Sequence, residues 1–542
     1  MRSRDLTRLT AASYDLLVIG GGIHGLTIAY EAASRGLRTA LVDAGDFGGG
    51  TSFNHQKTVH GGLRSLQSAS LRRARESILE RRALARIAPW FLRPLPFIVG
   101  TYRSATRGRL AFRAAFRLDR WLGRDRNVGV EPELHLPAAR LVSKAATLRL
   151  FPGVRAEALT GAAQWYDYQM VQADRLTLAF AAAADRAGAD IANYVEALTP
   201  LRTADRISGM TVRDVASGDT FAINASVTVN AAGAHAGSIM QALGVSRRVP
   251  LLKAMNLVTS RPASDIALAA PTAAGQMLTL VPWRGRAIIG TGQSKTLVTP
   301  DAAGVTASEV DAFIAEANQA FPTLRLTRDD VTLVHRGLVP AVEGQQGVPT
   351  LLSTPIVYDH AADQAAGAMT VIGVKYTTAR RVAQTVTERV AKRLGKRLAP
   401  SRTATRILPG AGIADHEALA IETARAVNLD LPIATIRHLI GLYAERARDV
   451  VLLMHEREDL RAPVAPGVAT LNAEIVHVIR QEMAVRLSDV VIRRAGLGAA
   501  GPPDDGALAG CAAVAARELE WSSERTADET AHVRQFYEIA DA

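Results

Sequence analysis

Gly20, Gly22 and Gly25 form a GxGxxG turn behind the apolar run DLLVIG, a spacing in which backbone atoms do the chemistry. The first glycine permits a tight turn, the second lets N–H groups approach a pyrophosphate, and the third lets a helix pack on a strand. Asp43 stands 18 residues beyond Gly25, where a carboxylate can accept hydrogen bonds from an adenosine ribose and would repel a 2′-phosphate. Lys57, His60 and Arg64 follow, two cations and an imidazole, a side chain suited to accepting and donating protons. The glycine turn alone fits NAD enzymes, FAD enzymes and chance turns, so the residues downstream must decide.

The pattern predicts the elements that position these groups. Residues 15–20 read as a buried strand, 26–34 as the helix opened by the turn, and TALVD, ending at Asp43, as the next strand. Residues 70–87 are helical, and 89–96 form a loop in which Pro94 and Pro96 act as breakers. The stretch 164–187 runs from aromatics into a helix, and 190–197, 207–212 and 226–230 read as strands. Ala231, Ala232 and Gly233 come next, small residues that allow close approach of a ligand. Further strands fall at 276–281, 286–290 and 369–373, and Val382, Val386, Val390 and Leu394 repeat at helical spacing up to a stop at Gly395. The implied fold class is α/β: a split nucleotide-binding domain with an inserted substrate domain over 1–399, and a helical domain over 400–542.

With 542 residues and 48% hydrophobic composition the chain can bury large cores. It contains no run of about 18 or more apolar residues to span a bilayer, and its start lacks the apolar segment of a secretory signal. A cytoplasmic location is expected. The single cysteine, Cys511, cannot form an internal disulfide or anchor a cysteine-rich metal site, so redox work needs a bound cofactor and no metal is expected. The net charge of +12 is concentrated at 103–126, which holds eight arginines against Asp119 and Asp125. Phe112, Phe116, Leu118, Trp121 and Leu122 are interleaved with them. Two readings stand open: an amphipathic helix on an anionic membrane, and a solvated face whose aromatics turn to the core. Arginine excess without a nucleic-acid fold argues against nucleic acid.

After Asp43 the chain continues DFGGGTSFNHQKTVHGGLRSL, which resembles the flavin-contacting segment of FAD-dependent glycerol-3-phosphate dehydrogenases of the quinone-linked type through Thr51, Ser52, Lys57, His60, Gly61, Gly62 and Arg64. The likeness continues through 93–97, Asp167 with Arg175, Asn230 to Gly233, Pro282 with Trp283, and Gly373, Lys375, Thr377, Thr378 and Arg380. In the tail it includes Tyr443, Glu474, Glu482, Asp489, Arg493 and Arg494. The resemblance implies an FAD-binding Rossmann-like domain, an interleaved antiparallel β substrate domain and a C-terminal helical domain. It implies FAD held by Gly20, Gly22, Gly25, Asp43, Thr51, Ser52, Lys57, Thr58, Ala197, Ala232, Gly233, Lys375 and Thr377. The partners it implies are a small-molecule substrate and a quinone or another electron acceptor, with peripheral contact on the inner face of a membrane and a homodimer left open.

Flavin chemistry gives three matched residues roles. His60 suits a general base, Arg64 a clamp for an anionic or hydroxylated substrate, and Lys375 a cation that stabilises developing alkoxide or reduced-flavin charge. Alternatives stay open for each: a packing histidine, a structural ion pair, an exposed lysine. Departures from the family fall on the substrate side. Val339 and Thr354 stand where the family has arginines, Ser65 and Ala379 where it has tyrosines, and Gln293 where it has aspartate. Arg336 lies an odd offset from Val339, which turns its side chain to the other face of a strand. The leading expectation is oxidation of glycerol 3-phosphate or a related secondary alcohol to a ketone. One rival is a repurposed enzyme for a non-phosphorylated polyol, hydroxy acid or amine; another is a flavin-carrying sensor or membrane partner without turnover.

Overall fold

The computed structural model describes residues 1, 4–63, 70–104, 107–344, 347–412, 415–427 and 431–541. Its organising element is an eight-stranded sheet with Ser13–Ile19 flanked in parallel by Thr39–Val42 and Thr220–Asn230. Alternation along the central strand splits its side chains between two cores. Leu16 and Val18 pack with Leu26, Ala29, Val382 and Val386 of the helices Ile23–Ser34 and Ala379–Leu394. Leu17 and Ile19 pack with Met210 and Val212 beneath the antiparallel ribbon of Val195–Thr203 and Arg206–Asp214. A strand covered on both faces reads as an unbroken apolar run, which is why its position is evident in the sequence.

Register decides where the functional edge lies. Ile19 pairs with Val42 and with Asn230, and Asn230 pairs with Thr370 of the strand Ala368–Ile372. The carboxyl ends of four strands therefore align, and Gly20, Asp43, Ala231 and the chain leading to Lys375 all leave from one edge. In open parallel sheets this edge is where ligands bind.

A second, ten-stranded sheet carries the remaining strands. The residues expected to form a loop at 89–96 instead enter it: after a short 3₁₀ turn, Leu92–Tyr102 is a strand paired antiparallel with Leu159–Met170. Pro94 and Pro96 are two apart, so both missing donors fall on one side of the strand. On its other flank the strand Ala267–Pro271 begins to pair only at Phe97, leaving that edge unpartnered at both prolines. The short strand Thr58–Val59 pairs with Tyr168 and Gln169 and so delivers His60 to the seam between the sheets.

Beyond residue 400 the named elements are helical, gathered around Tyr443, Met454, Ile475 and Val490. A π-helical segment, Asp489–Arg494, reaches back to the first sheet. There Arg494 meets both oxygens of Asp46 at 2.7 and 2.8 Å, and Arg493 bonds the same carboxylate at 2.6 Å. Burial opposes the Asp46 charge, yet these two guanidinium groups hold its carboxyl well below the usual range. Among the described residues no helix is long and apolar enough to cross a membrane. Cys511 is buried in the helical core, which pushes its thiol up to about 12.

Candidate active site

The dinucleotide turn is shaped by close backbone approach. Gly20 has φ +105°, and a Cβ on Gly25 would lie 1.7 Å from the Gly20 carbonyl oxygen, so neither position accepts a side chain. The N-terminus of Ile23–Ser34 opens beside Ser52, whose Oγ accepts the Ile23 N–H at 2.9 Å. Asp43 ends its strand with one oxygen accepting from the Gly21 N–H and the other from the Gly45 N–H at 2.7 Å. Burial outweighs these two bonds and raises its carboxyl above the ordinary value. Ala232 and Gly233 begin the 3₁₀ turn on the opposite lip, where a Cβ at Gly233 would meet nothing within 4 Å. Asn230 fixes that lip: its amide donates to the Ala236 carbonyl at 2.9 Å, and its oxygen accepts from the Ala232 N–H at 3.1 Å.

His60 leaves its strand with its side chain 53% exposed, but the ring is not loose. Nδ1 lies 3.2 Å from Asp167 Oδ2, a pair in which only the ring N–H can donate. Asp167 is itself fixed, accepting from the Gly61 N–H at 2.7 Å and from Arg81 at 2.5 Å. Burial raises the Asp167 carboxyl, but the His60 bond, the Arg81 charge and the Gly61 N–H together hold it below its ordinary value. With Nδ1 donating, Nε2 becomes the acceptor, and it lies 3.1 Å from the Thr58 hydroxyl. Carboxylate, imidazole and accepting nitrogen form the arrangement of an oriented general base. The Phe97 ring lies 5.8 Å from that of His60 and stacks on Trp165, forming an apolar wall.

Lys375 is exposed between the strand Ala368–Ile372 and the helix Ala379–Leu394, whose N-cap is Thr378, with Thr377 just before it. Gly373 is required by His24: a Cβ there would lie 2.3 Å from the imidazole. Thr51 bonds the Leu338 carbonyl at 3.1 Å and joins the cofactor loop to the strand Val331–Val342. On that strand Arg336 donates to the carbonyls of Phe536 and Glu538, away from Val339. Thr354 is exposed. Arg64 and Ser65 lie outside the described residues.

Residues 15–389 match the family model described as FAD dependent oxidoreductase. The chain belongs to that family. Residues 401–526 of this flavoprotein match the C-terminal domain of alpha-glycerophosphate oxidase. It is 30% identical to a glycerol-3-phosphate dehydrogenase of Synechocystis, over 91% of this chain and 90% of the relative. It is 32% identical to one of Mycobacterium leprae, over 90% of this chain and 81% of that protein. The fold matches glycerol-3-phosphate dehydrogenase from Bacillus halodurans, solved with FAD, with a TM-score of 0.76 at 23% identity over 99% of this chain and 96% of that one. These likenesses fit the expected architecture of a flavin domain, a β-rich substrate domain and a C-terminal helical domain.

The edge suits FAD on its own terms. The glycine turn and the helix N-terminus are of the kind that would hold a pyrophosphate, and Asp43 of the kind that would meet a ribose. His24 Nε2 and His55 Nε2 are buried and, among the described residues, lack a hydrogen-bond partner, so polar groups of a bound flavin have acceptors or donors to meet. Burial lowers His24 to about 4, keeping it neutral.

Lys57 does not join this surface. It is 0% exposed, and Nζ donates to the Phe53 carbonyl at 2.5 Å, lies 3.6 Å from Asp174 and sits 4.2 Å over the Phe53 ring. Burial lowers it to about 8 despite Asp174. In this structure Lys57 is enclosed by Phe53, Trp283 and Asp174. Thr58 serves the His60 ring, and Ala197 lies half-buried in the ribbon Val195–Thr203. Sequence reasoning missed Arg81, His55 and Tyr376. The Tyr376 hydroxyl meets Thr177 at 2.9 Å, and its ring lies 5.1 Å from that of His55. For Arg81 the only signal was a lone arginine on the buried side of the helix Leu71–Ile87.

Proposed function

We propose that this chain oxidises the secondary alcohol of glycerol 3-phosphate, or of a compound built like it, to a ketone. The observation that carries the reading is His60 at the seam between the sheets, its Nδ1 held by Asp167 and its Nε2 left as acceptor. When bound, FAD supplies the hydride acceptor at N5. His60 Nε2 takes the hydroxyl proton as the C–H bond breaks, the substrate hydroxyl displacing that of Thr58. Asp167 stabilises the resulting imidazolium, and Lys375 stabilises the alkoxide as it forms. The Phe97 and Trp165 wall excludes water from the transferring hydrogen. Electrons then pass to a quinone or another acceptor.

The test is an anaerobic titration of the purified flavoprotein with glycerol 3-phosphate, followed by the oxidised-flavin absorbance. Bleaching at low concentration supports the reading. A yellow protein that stays oxidised overturns it and directs attention to non-phosphorylated alcohols and amines. With Lys375→Ala, flavin should stay bound while its reduction by substrate falls about 100-fold or more.

A peripheral site on an anionic membrane forms part of the proposal. In the helix Arg109–Leu122 the large apolar side chains are divided: Phe116 and Leu122 are buried, whereas Leu110 is 78% and Trp121 60% exposed. Arg113, Arg117, Arg120 and Arg124 are exposed with them, so apolar groups and cations share the outer face, as interfacial binding requires. Sedimentation with anionic vesicles should be lost when Arg113, Arg117 and Arg120 are replaced together; undiminished binding removes this part of the proposal.

A further inference from the structure

We propose that the C-terminal helical domain is a clamp on the nucleotide end of the cofactor: Arg493 and Arg494 position Asp43 and the glycine turn by gripping Asp46. The proposal rests on the reading of that edge as the pyrophosphate and ribose site, and it gives a role to a domain that stands outside the edge.

Residues 43–48 leave the strand Thr39–Val42 and return to the glycine turn. Asp43 accepts from the Gly21 N–H and, at 2.7 Å, from the Gly45 N–H. Gly48 donates its own N–H to the Gly21 carbonyl at 2.9 Å. A Cβ on Gly21 would lie 2.7 Å from the Phe47 ring. Turn and loop are therefore one unit, and the loop cannot shift without carrying Gly21 and the Asp43 carboxylate with it. Asp46 is the point at which another part of the chain takes hold. Both guanidinium groups of the segment Asp489–Arg494 end on its carboxylate, and the Asn193 amide donates to it at 3.0 Å. Asp46 is 1% exposed and Arg494 0%, so water does not compete for these bonds.

The arginines are themselves fixed from the helical side. Arg494 donates to the Glu482 carbonyl at 2.9 and 3.0 Å. Arg493 donates to Asp489 at 2.5 Å, and Asp489 accepts the Tyr194 hydroxyl at 2.7 Å. Asp46, Asp489, Arg493 and Arg494 thus form a buried cluster of balanced charge that joins positions 448 residues apart in the chain. Such a cluster adds little stability over apolar packing of the same volume, because desolvation offsets the attraction. What its directional bonds supply is position, and the position supplied here is that of the loop carrying Asp43. Nucleotide binding and the docking of the helical segment are linked as a result. Loosening the arginines weakens the nucleotide, and bound nucleotide tightens the arginines by the same factor.

The test uses the full chain titrated with FAD, and with ADP as a competitor that carries the adenosine and the pyrophosphate without the flavin. Asp46→Asn and Arg493→Gln should each weaken FAD and ADP binding about 10-fold. The double variant should bind no worse than the weaker single one, because both side chains act through one contact. Variants that unfold at a lower temperature yet bind ADP as the wild type does would show a purely structural role and overturn the clamp. Effects that add in the double variant overturn it as well. If the variants do not fold, hydrogen exchange on the wild-type chain decides: ADP should slow exchange of the amides at 489–494, which lie outside the nucleotide edge, and unchanged exchange there overturns the proposal. Should FAD bind the wild-type chain while ADP fails to compete with it, the reading of the glycine-turn edge falls and the clamp with it. Should ADP compete equally well in wild type and variants, the clamp alone falls.

Discussion

The glycine-turn edge, proposed to hold the cofactor, and the His60 seam, proposed as the substrate edge, are built by different means. At the cofactor edge the shape is made by backbone: Gly20 and Gly25 are fixed by contacts with carbonyl oxygens of their own turn and of Ala231. At the substrate edge the shape is made by side chains from distant segments, with Arg81 and Asp167 orienting His60. Backbone geometry ties function to fixed positions in the chain. Side-chain geometry draws its groups from segments far apart in the chain and so leaves no local motif.

The largest effect should come from breaking the backbone side. In Gly25→Ala the new methyl would lie 1.7 Å from the Gly20 carbonyl, and neither strand nor helix can yield without moving the sheet. We expect a loss of roughly 4 kcal/mol or more and a purified protein without flavin. Gly50→Ala, in the same loop region, meets nothing within 4 Å and should shift stability by less than about 0.5 kcal/mol. Denaturant unfolding and the flavin-to-protein absorbance ratio check both. Equal effects of the two would mean that the turn is held by something other than its backbone.

Breaking the side-chain side should have an intermediate effect. Asp167→Ala leaves the buried Arg81 guanidinium without its carboxylate and His60 without its orienting partner. Removal of one member of a buried pair costs about 3 to 5 kcal/mol, and flavin reduction by substrate should slow by about 100-fold as the ring loses its tautomer. Bound flavin should be retained, because Asp167 touches none of the groups at the glycine turn. Urea unfolding and single-turnover reduction separate the two consequences. A variant that loses flavin and keeps its rate would reverse the proposed division between the edges.

The same division explains what the sequence disclosed. The strand Ser13–Ile19, the turn and Asp43 are local features, written in consecutive residues because an apolar run, three glycines and an acid must occur in that order. The Asp167 and Arg81 clamp joins residues 86 apart in the chain; no period or motif marks them. The enclosure of Lys57 is hidden for the same reason. Phe53, Trp283 and Asp174 come from separate elements to close around it, and no local pattern marks that enclosure. Pro94 and Pro96 misled in the other direction, since the local rule against proline in strands yields where one flank of the strand has no partner. The arginine-rich helix gave its location from sequence but not the division of its aromatics, which depends on the sheet beneath it.

The smallest effect concerns two carboxylates, one on each edge, that shift in opposite directions. Asp43 is raised by burial and Asp167 is held low by His60, Arg81 and the Gly61 N–H, against its own burial. A raised acid binds its proton more readily in the folded chain than in the unfolded one, so keeping Asp43 charged costs stability at neutral pH, and acidification relieves that cost. A depressed acid behaves oppositely: the contribution of Asp167 is full above its unfolded value, about 3.9, and is lost as pH falls through its lower folded value. As pH falls, Asp43 should therefore take up a proton before Asp167 does, while the Asp167 clamp on His60 is still charged and intact. Flavin release, followed by its fluorescence, should precede the loss of near-ultraviolet circular dichroism on acid titration. Asp43→Asn should bind flavin more weakly at pH 7 and flatten the pH dependence of its release. Coincident midpoints in the wild-type protein would show that the two edges titrate as one unit, and the contrast between them would then be confined to how they are built.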